Sequence, residues 1–286
     1  MIPTPRAAVE ALRSALRAGL DPEVGTPRTV VPVAQGQVLL MPAEWGDYVG
    51  VKVATVAPDN PARGHPRIQG TYLLLDARTL ASLATVDAQE LTAVRTAAVS
   101  ALAVDVLARA DAARLVVFGT GPQARSHVAA IRAVRPVTDV AVLGRTRTAE
   151  FASEVDARVG AVEDVAAADV LVCATTSRTP LFDGALVRPG TMVVAVGSHE
   201  PDAREVDDTL VAAATVVVEA RSAALREAGE VVGAVAAGVL DPSTVVGLAE
   251  VVRGAAVEDG RPVLFKSVGM AWEDLVVAAS GWEQRT

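Results

Sequence analysis

A single cysteine, Cys173, occurs in the 286 residues, so no disulfide can form within the chain. It lies in the apolar run Asp169-Val-Leu-Val-Cys-Ala174, the setting of an inert core thiol. Histidine is scarce too: His65, His127 and His199 are far apart, and no Cys/His spacing suits a metal. Phe, Trp and Tyr make up 3% of the chain while 51% is hydrophobic, so the core is built mainly from Ala, Val and Leu. No apolar run reaches the roughly 18 residues of a membrane span. The N-terminus carries Arg6, Glu10 and Arg13 and lacks the apolar core of a secretory signal, which makes the cytoplasm the expected compartment. Positive charge is in deficit, with a net charge of −8, which argues against a nucleic-acid partner. An anionic ligand therefore needs a local basic pocket.

The chain is organised around residues 95–131. Arg114-Leu-Val-Val-Phe118 reads as a strand buried on both faces. Gly119-Thr120-Gly121-Pro122-Gln123-Ala124 follows at once, and residues 124–134 read as a helix. Alone, GxGxxA also fits an ordinary turn. The flanking strand and helix favour a dinucleotide loop, in which Gly119 makes the turn, Gly121 admits a pyrophosphate and Ala124 permits close packing. Upstream, residues 96–110 form an expected buried helix with Arg95 at its N-terminal end. There it is either an exposed boundary charge or an anion-binding group at the cofactor crevice.

Elsewhere, residues 5–18 have helical spacing, and strands are expected at 29–34, 37–41, 48–56 and 70–75. Lys52 interrupts the third, a pattern that also fits a surface lysine. From 111 to 263 strands and helices alternate, with strands at 114–119, 139–144, 169–174, 191–197 and 215–219. That is the grammar of a doubly wound parallel sheet. Its second strand ends in Arg145-Thr146-Arg147 rather than the acidic residue that usually binds an NAD ribose. The two arginines are either solvated loop charges or ligands of a 2′-phosphate, and NADP(H) is preferred over NAD(H). Thr175 and Thr176, and then Val196-Gly197-Ser198, end the next strands at the same edge. The two threonines either bond the cofactor ribose or phosphate or form a polar turn.

Several blocks resemble the ornithine cyclodeaminase/mu-crystallin family. They are Val51-Lys52-Val, Asn60-Pro-Ala-Arg-Gly64, Ala93-Val-Arg95-Thr96-Ala, Phe118-Gly-Thr-Gly-Pro-Gln-Ala124, Gly197-Ser-His-Glu-Pro-Asp-Ala-Arg-Glu-Val-Asp207 and Leu264-Phe-Lys-Ser-Val-Gly-Met-Ala271. They occur in the family's order from about Pro27 to Leu275. The resemblance implies a Rossmann cofactor domain, 99–263, and a smaller α+β domain, 1–98 with 264–286, that binds substrate and forms a homodimer. A short strand that usually precedes the first helix is missing. The resemblance further implies that Arg28, Lys52 and Arg95 hold a substrate carboxylate, with Ser267 and Val268 beside the nicotinamide. The cofactor set is then Arg95, Thr96, Gly119 to Gln123, Arg145 to Arg147, Thr175, Thr176, Val196 to Ser198 and Ser267.

Three functions are compatible with these residues. The first is NAD(P)H-dependent reduction of a small carboxylate-bearing imine, such as 1-pyrroline- or 1-piperideine-2-carboxylate, with Lys52 and His199 as catalytic groups. The second is ornithine cyclodeamination or amino-acid dehydrogenation. By the resemblance, cyclodeaminases carry an Asp where this chain has His199, which favours the first. The alternative is that His199 only bonds the backbone or the cofactor. The third is a non-catalytic NADPH and small-ligand binder.

Overall fold

The computed structural model describes residues 2–258 and 260–285. The chain divides into two compact units, Met1–Arg95 with Met270–Thr286, and Thr96–Gly269. The boundary falls inside a continuous helix, and residues 264–266, grouped above with the tail, belong to the parallel sheet of the second unit.

In the first unit, helix α1 (Pro5–Arg17) starts where Thr4 accepts from the Ala7 N–H and Pro5 presets the first turn. An antiparallel sheet follows in the order β1 (Thr29–Val33), β2 (Gly36–Trp45), β3 (Tyr48–Val56), β4 (Ile68–Asp76), β5 (Ser82–Asp87). Period-two burial puts Leu39, Met41, Lys52, Ala54, Tyr72, Leu74 and Val86 in the core. The C-terminal helix α9 (Ala271–Glu283) packs on β2, β3, β4 and α1.

Strand β5 was not expected from the sequence. The turn before it uses no glycine: the Asp76 carboxylate accepts from the Arg78 and Thr79 N–H groups and the Thr79 hydroxyl, and Leu80 takes φ +57°. Helix α2 (Ala88–Leu107) begins two turns earlier than expected, capped by Asp87, which accepts from the N–H groups of Gln89 and Glu90. Arg95 therefore lies inside the helix, not at its N-terminal end.

The second unit is the doubly wound parallel fold that the alternation predicts. Its strands are β6 (Arg114–Phe118), β7 (Asp139–Leu143), β8 (Arg158–Val159), β9 (Val170–Cys173), β10 (Met192–Ala195), β11 (Thr215–Val218), β12 (Val246–Gly247) and β13 (Val263–Lys266). They lie in the order β12-β11-β13-β10-β9-β6-β7-β8, all parallel. The order reverses direction at β6, between β7 and β9. The carboxyl edge beside such a switch is where α/β sheets receive ligands. Helix α3 (Pro122–Arg132) leaves β6 at that edge, and α4 (Thr148–Glu154) leaves β7. The later helices of this unit are α5 (Asp208–Ala213), α6 (Arg221–Glu227), α7 (Gly229–Ala236) and α8 (Leu248–Val252). Among the described residues, no helix is long and apolar enough to cross a membrane.

His127 on α3 is wholly buried. Its Nδ1 lies 2.8 Å from the Gln123 carbonyl, which can only accept, so Nδ1 carries the proton and Nε2, 2.9 Å away, accepts from the Ser100 hydroxyl. Burial lowers its pKa to about 4 against the Gln123 bond. The unfolded chain protonates this residue near 6.5 and the folded chain only near 4. Stability is thus intact above about pH 6.5 and falls by about 1.4 kcal/mol per unit as pH drops toward 4. Urea midpoints from pH 7 to 4.5 should fall less steeply in His127→Gln, which does not titrate. Equal slopes in the two proteins would contradict this.

Candidate active site

In the second unit, Gly119 and Gly121 do different work. Gly119 has φ +121°, and a Cβ there would stand 2.4 Å from the Ala174 carbonyl oxygen, so only glycine fits between the loops after β6 and β9. Gly121 is the N-cap of α3, and the space where its Cβ would stand is open for 4 Å. The first N–H groups of α3, with Pro122 at the first position, leave a cradle suited to a pyrophosphate. Gln123 and Thr120 are half-buried beside it, and the Thr120 hydroxyl donates to the Thr146 carbonyl. The loop fits a dinucleotide.

At the end of β7 the two arginines differ. Arg147, at φ +56°, donates to Glu150 at 2.7 and 2.8 Å and approaches Glu154. Arg145 is exposed and makes no ion pair among the described residues. Of the two, Arg145 has its charge available for a phosphate.

The loops after β9 and β10 are tied by an acid that sequence reasoning missed. Glu205 is fully buried, and its carboxylate accepts from the Thr175 N–H, the Thr175 hydroxyl and the Gly197 N–H, each at 2.7 Å. A Cβ on Gly197 would lie 2.5 Å from that carboxylate, which explains the glycine. Burial pushes the Glu205 pKa up, while Lys266 and these donors pull it back. Behind it, Glu230 accepts from the Glu205 N–H and pairs with Lys266 at 2.9 Å, and Lys266 donates to the Ser198 carbonyl at 2.8 Å. The Thr175 hydroxyl is thus spent inside the protein, leaving Thr176, exposed beside it, with the accessible hydroxyl. Half-buried Val196, buried Ser198 and exposed His199 line the loop after β10.

A second missed acid, Glu219, holds the segment after β13. It accepts from the Ser267 hydroxyl at 2.6 Å, the Val268 N–H at 2.8 Å and the Gly269 N–H at 3.2 Å. Ser267 is therefore committed through its hydroxyl, and both it and Val268 are buried.

The first unit holds the basic residues. Lys52 and Arg95 are 3% and 5% exposed, far from surface charges, and face Glu273 and Asp274 at the start of α9, both 0% exposed. Lys52 Nζ lies 2.7 Å from Asp274, and Arg95 lies 2.6 Å from Glu273 and 3.2 Å from Asp274. Burial lowers the Lys52 pKa to about 8 against the pull of Asp274. Arg28 is half-buried and directly precedes Thr29, the partner of Leu40. That register continues the row Met41, Lys52, Tyr72, Val86 across the sheet and puts Arg28 on the face of Lys52, two strands or about 10 Å away. Thr96, buried one residue past Arg95, belongs to the second unit, where its carbonyl lies 2.9 Å from the Ser100 Oγ.

A cavity of about 260 Å³ between Arg109, Arg114, Asp169 and Arg188 lies at the amino edge of the parallel sheet, opposite these loops. Cys173 is buried in β9, and burial pushes its thiol pKa well up.

Residues 6–284 match the ornithine cyclodeaminase/mu-crystallin family. The ketimine reductase mu-crystallin of Mus musculus is 37% identical over 262 residues, 88% of this chain and 82% of that protein. The structure of Thermococcus litoralis Δ1-pyrroline-2-carboxylate reductase, in complex with NADH and L-proline, is 31% identical with a TM-score of 0.91 and covers 99% of this chain and 94% of that one. An archaeal alanine dehydrogenase dimer with bound NAD is 28% identical with a TM-score of 0.91, covering 99% and 92%. The chain belongs to the ornithine cyclodeaminase/mu-crystallin family.

Proposed function

We propose that this chain is an NADPH-dependent reductase of cyclic imines that carry a carboxylate on the imine carbon. The carrying observation is the buried pair Lys52 and Arg95, each fixed by an acid of α9. Two immobilised cations are a receptor for a carboxylate: the Arg95 guanidinium offers a planar fork, Lys52 a compact charge. Arg28, on the same sheet face as Lys52, completes the set. Glu273 and Asp274 hold the cations in place before substrate arrives, which lowers the cost of orienting it.

In the second unit the N–H groups of α3 take the pyrophosphate, and Arg145 takes the 2′-phosphate. Held by these residues, NADPH would supply the hydride that the reduction needs. His199 gives a proton to the imine nitrogen, because the protonated imine is the better electrophile. The reductase names of the mouse and Thermococcus relatives support this chemistry. The test is steady-state turnover of 1-pyrroline-2-carboxylate, 2-oxo acids with amines, and ornithine. Ornithine deamination outrunning imine reduction would overturn the reading.

The cofactor preference rests on Arg145. A charged hydrogen bond to the 2′-phosphate contributes about 1.5–3 kcal/mol, so Arg145→Asp should lower the NADPH-over-NADH ratio of kcat/KM by tenfold or more, roughly. Raising the salt should narrow the gap in the unaltered protein. A ratio near unity before mutation would remove Arg145 from cofactor choice.

The chain is further proposed to act as a homodimer through the first unit. Strand β1 is an edge strand whose every residue is exposed, including Val30, Val31 and Val33. Such an edge invites a partner, and the archaeal relative is a dimer. Sedimentation should give the mass of two chains at micromolar concentration; a single-chain mass would contradict it.

A further inference from the structure

We infer that Tyr72 is a positioning residue for the carboxylate site: when a substrate carboxylate takes the Lys52 ammonium, the Tyr72 hydroxyl becomes the donor that Asp274 then needs. This rests on the reading of Lys52 and Arg95 as carboxylate ligands.

Tyr72 is the direct cross-strand neighbour of Lys52. It is 0% exposed, and its hydroxyl has no hydrogen-bond partner among the described residues. The phenol lies over Gly50, where a Cβ would stand 1.9 Å from the hydroxyl oxygen, so a missing side chain on β3 makes room for it. Phenylalanine would fill this place without burying a polar atom, and an unmet buried hydroxyl costs stability.

The complementary deficit sits on Asp274. Its two oxygens lie 2.7 Å from Lys52 and 3.2 Å from Arg95, yet neither takes part in an aligned hydrogen bond. A buried donor without an acceptor thus shares a cluster with a buried carboxylate short of donors. Burial, and then the Asp274 charge, push the Tyr72 pKa well up, so the phenol stays protonated and remains a donor.

Charge balance gives the pairing its use. Tyr72 lies beside Lys52 of β3 and feels the Asp274 charge, in an ion-pair cluster that also joins Arg95 of α2 and Glu273 of α9, two cations against two anions. An arriving carboxylate adds a negative charge and draws Lys52 away from Asp274. The carboxylate left behind must then take a proton or find a neutral donor. Tyr72 supplies that donor with no net proton uptake.

The experiment is titration calorimetry with pyrrole-2-carboxylate, a planar carboxylate that accepts no hydride, in two buffers of different ionisation enthalpy. Tyr72→Phe should bind it about tenfold more weakly. Binding to the variant should also take up protons that binding to the unaltered chain does not, because Asp274 is then protonated instead. In turnover the variant should show a raised KM for the imine, kcat within about twofold and an unchanged KM for NADPH. Its melting temperature, equal or higher, shows that the fold is intact. Equal affinity and equal proton uptake in the two proteins would overturn the role of Tyr72, whatever the turnover. An unaltered chain that reduces no cyclic imine but shows the Tyr72 difference overturns only the reductase reading. A chain that binds no pyrrole-2-carboxylate overturns both.

Discussion

Lys52→Gln should lower kcat/KM for 1-pyrroline-2-carboxylate by about 10²–10³-fold. Removing one member of a desolvated charge pair costs about 2–5 kcal/mol, and each 1.4 kcal/mol is tenfold. Glutamine keeps a donor near Asp274, so the fold should survive and the loss should fall on substrate binding. The pH profile carries a second signature. With the Lys52 pKa brought down to about 8 by burial, its charge is present below that pH and lost above it. Carboxylate affinity should therefore decline as pH rises through about 8. In Lys52→Arg, whose guanidinium stays protonated, that decline should vanish. A limb that persists in Lys52→Arg belongs to the substrate imine, and a Lys52→Gln enzyme of full activity would remove the lysine from the site.

Glu205→Ala should destabilise the protein by about 3–5 kcal/mol. The variant strands three donors that now end on one buried carboxylate, and it deprives Lys266 of a nearby negative charge. Glu205→Gln retains an acceptor oxygen and should cost less. The loops that Glu205 ties together carry Thr176 and His199, so KM for NADPH should rise in the alanine variant as well. Urea unfolding of the three proteins measures the first effect. A Glu205→Ala protein within about 1 kcal/mol of the parent would mean that the loops hold themselves.

The parts of this site that a reader of the sequence can find are those whose chemistry is local. Gly119 turns at φ +121° directly after a strand and Gly121 caps the helix that follows, and both of these reasons lie in the turn itself. Buried strands β6, β7, β9, β10 and β11 read plainly as short apolar runs. Strand β5 did not, because its turn is closed by the Asp76 side chain instead of glycine. The start of α2 was hidden by its polar first turns, in which Gln89 and Glu90 interrupt the apolar pattern.

The electrostatic half of the site was illegible for a different reason. Arg95 meets Glu273 across 178 residues of sequence, and nothing local marks that glutamate as buried. Glu205, Glu219 and Glu230 likewise resemble ordinary solvated acids until the fold closes around them. Lys52 illustrates the same limit from the cation's side. Its alternating strand fits a surface lysine, and only the position of α9 over β3 makes it a buried ion. Pattern locates the backbone cradle; tertiary packing decides which charges are held inside.

The most direct measurement compares NADPH-dependent reduction of 1-pyrroline-2-carboxylate with that of 1-pyrroline, which has the same imine and no carboxylate. If Lys52 and Arg95 receive that carboxylate, kcat/KM should favour the carboxylated imine by about 10²-fold or more, and Lys52→Gln should erase most of the difference. Equal kcat/KM for the two imines would contradict the account at its centre.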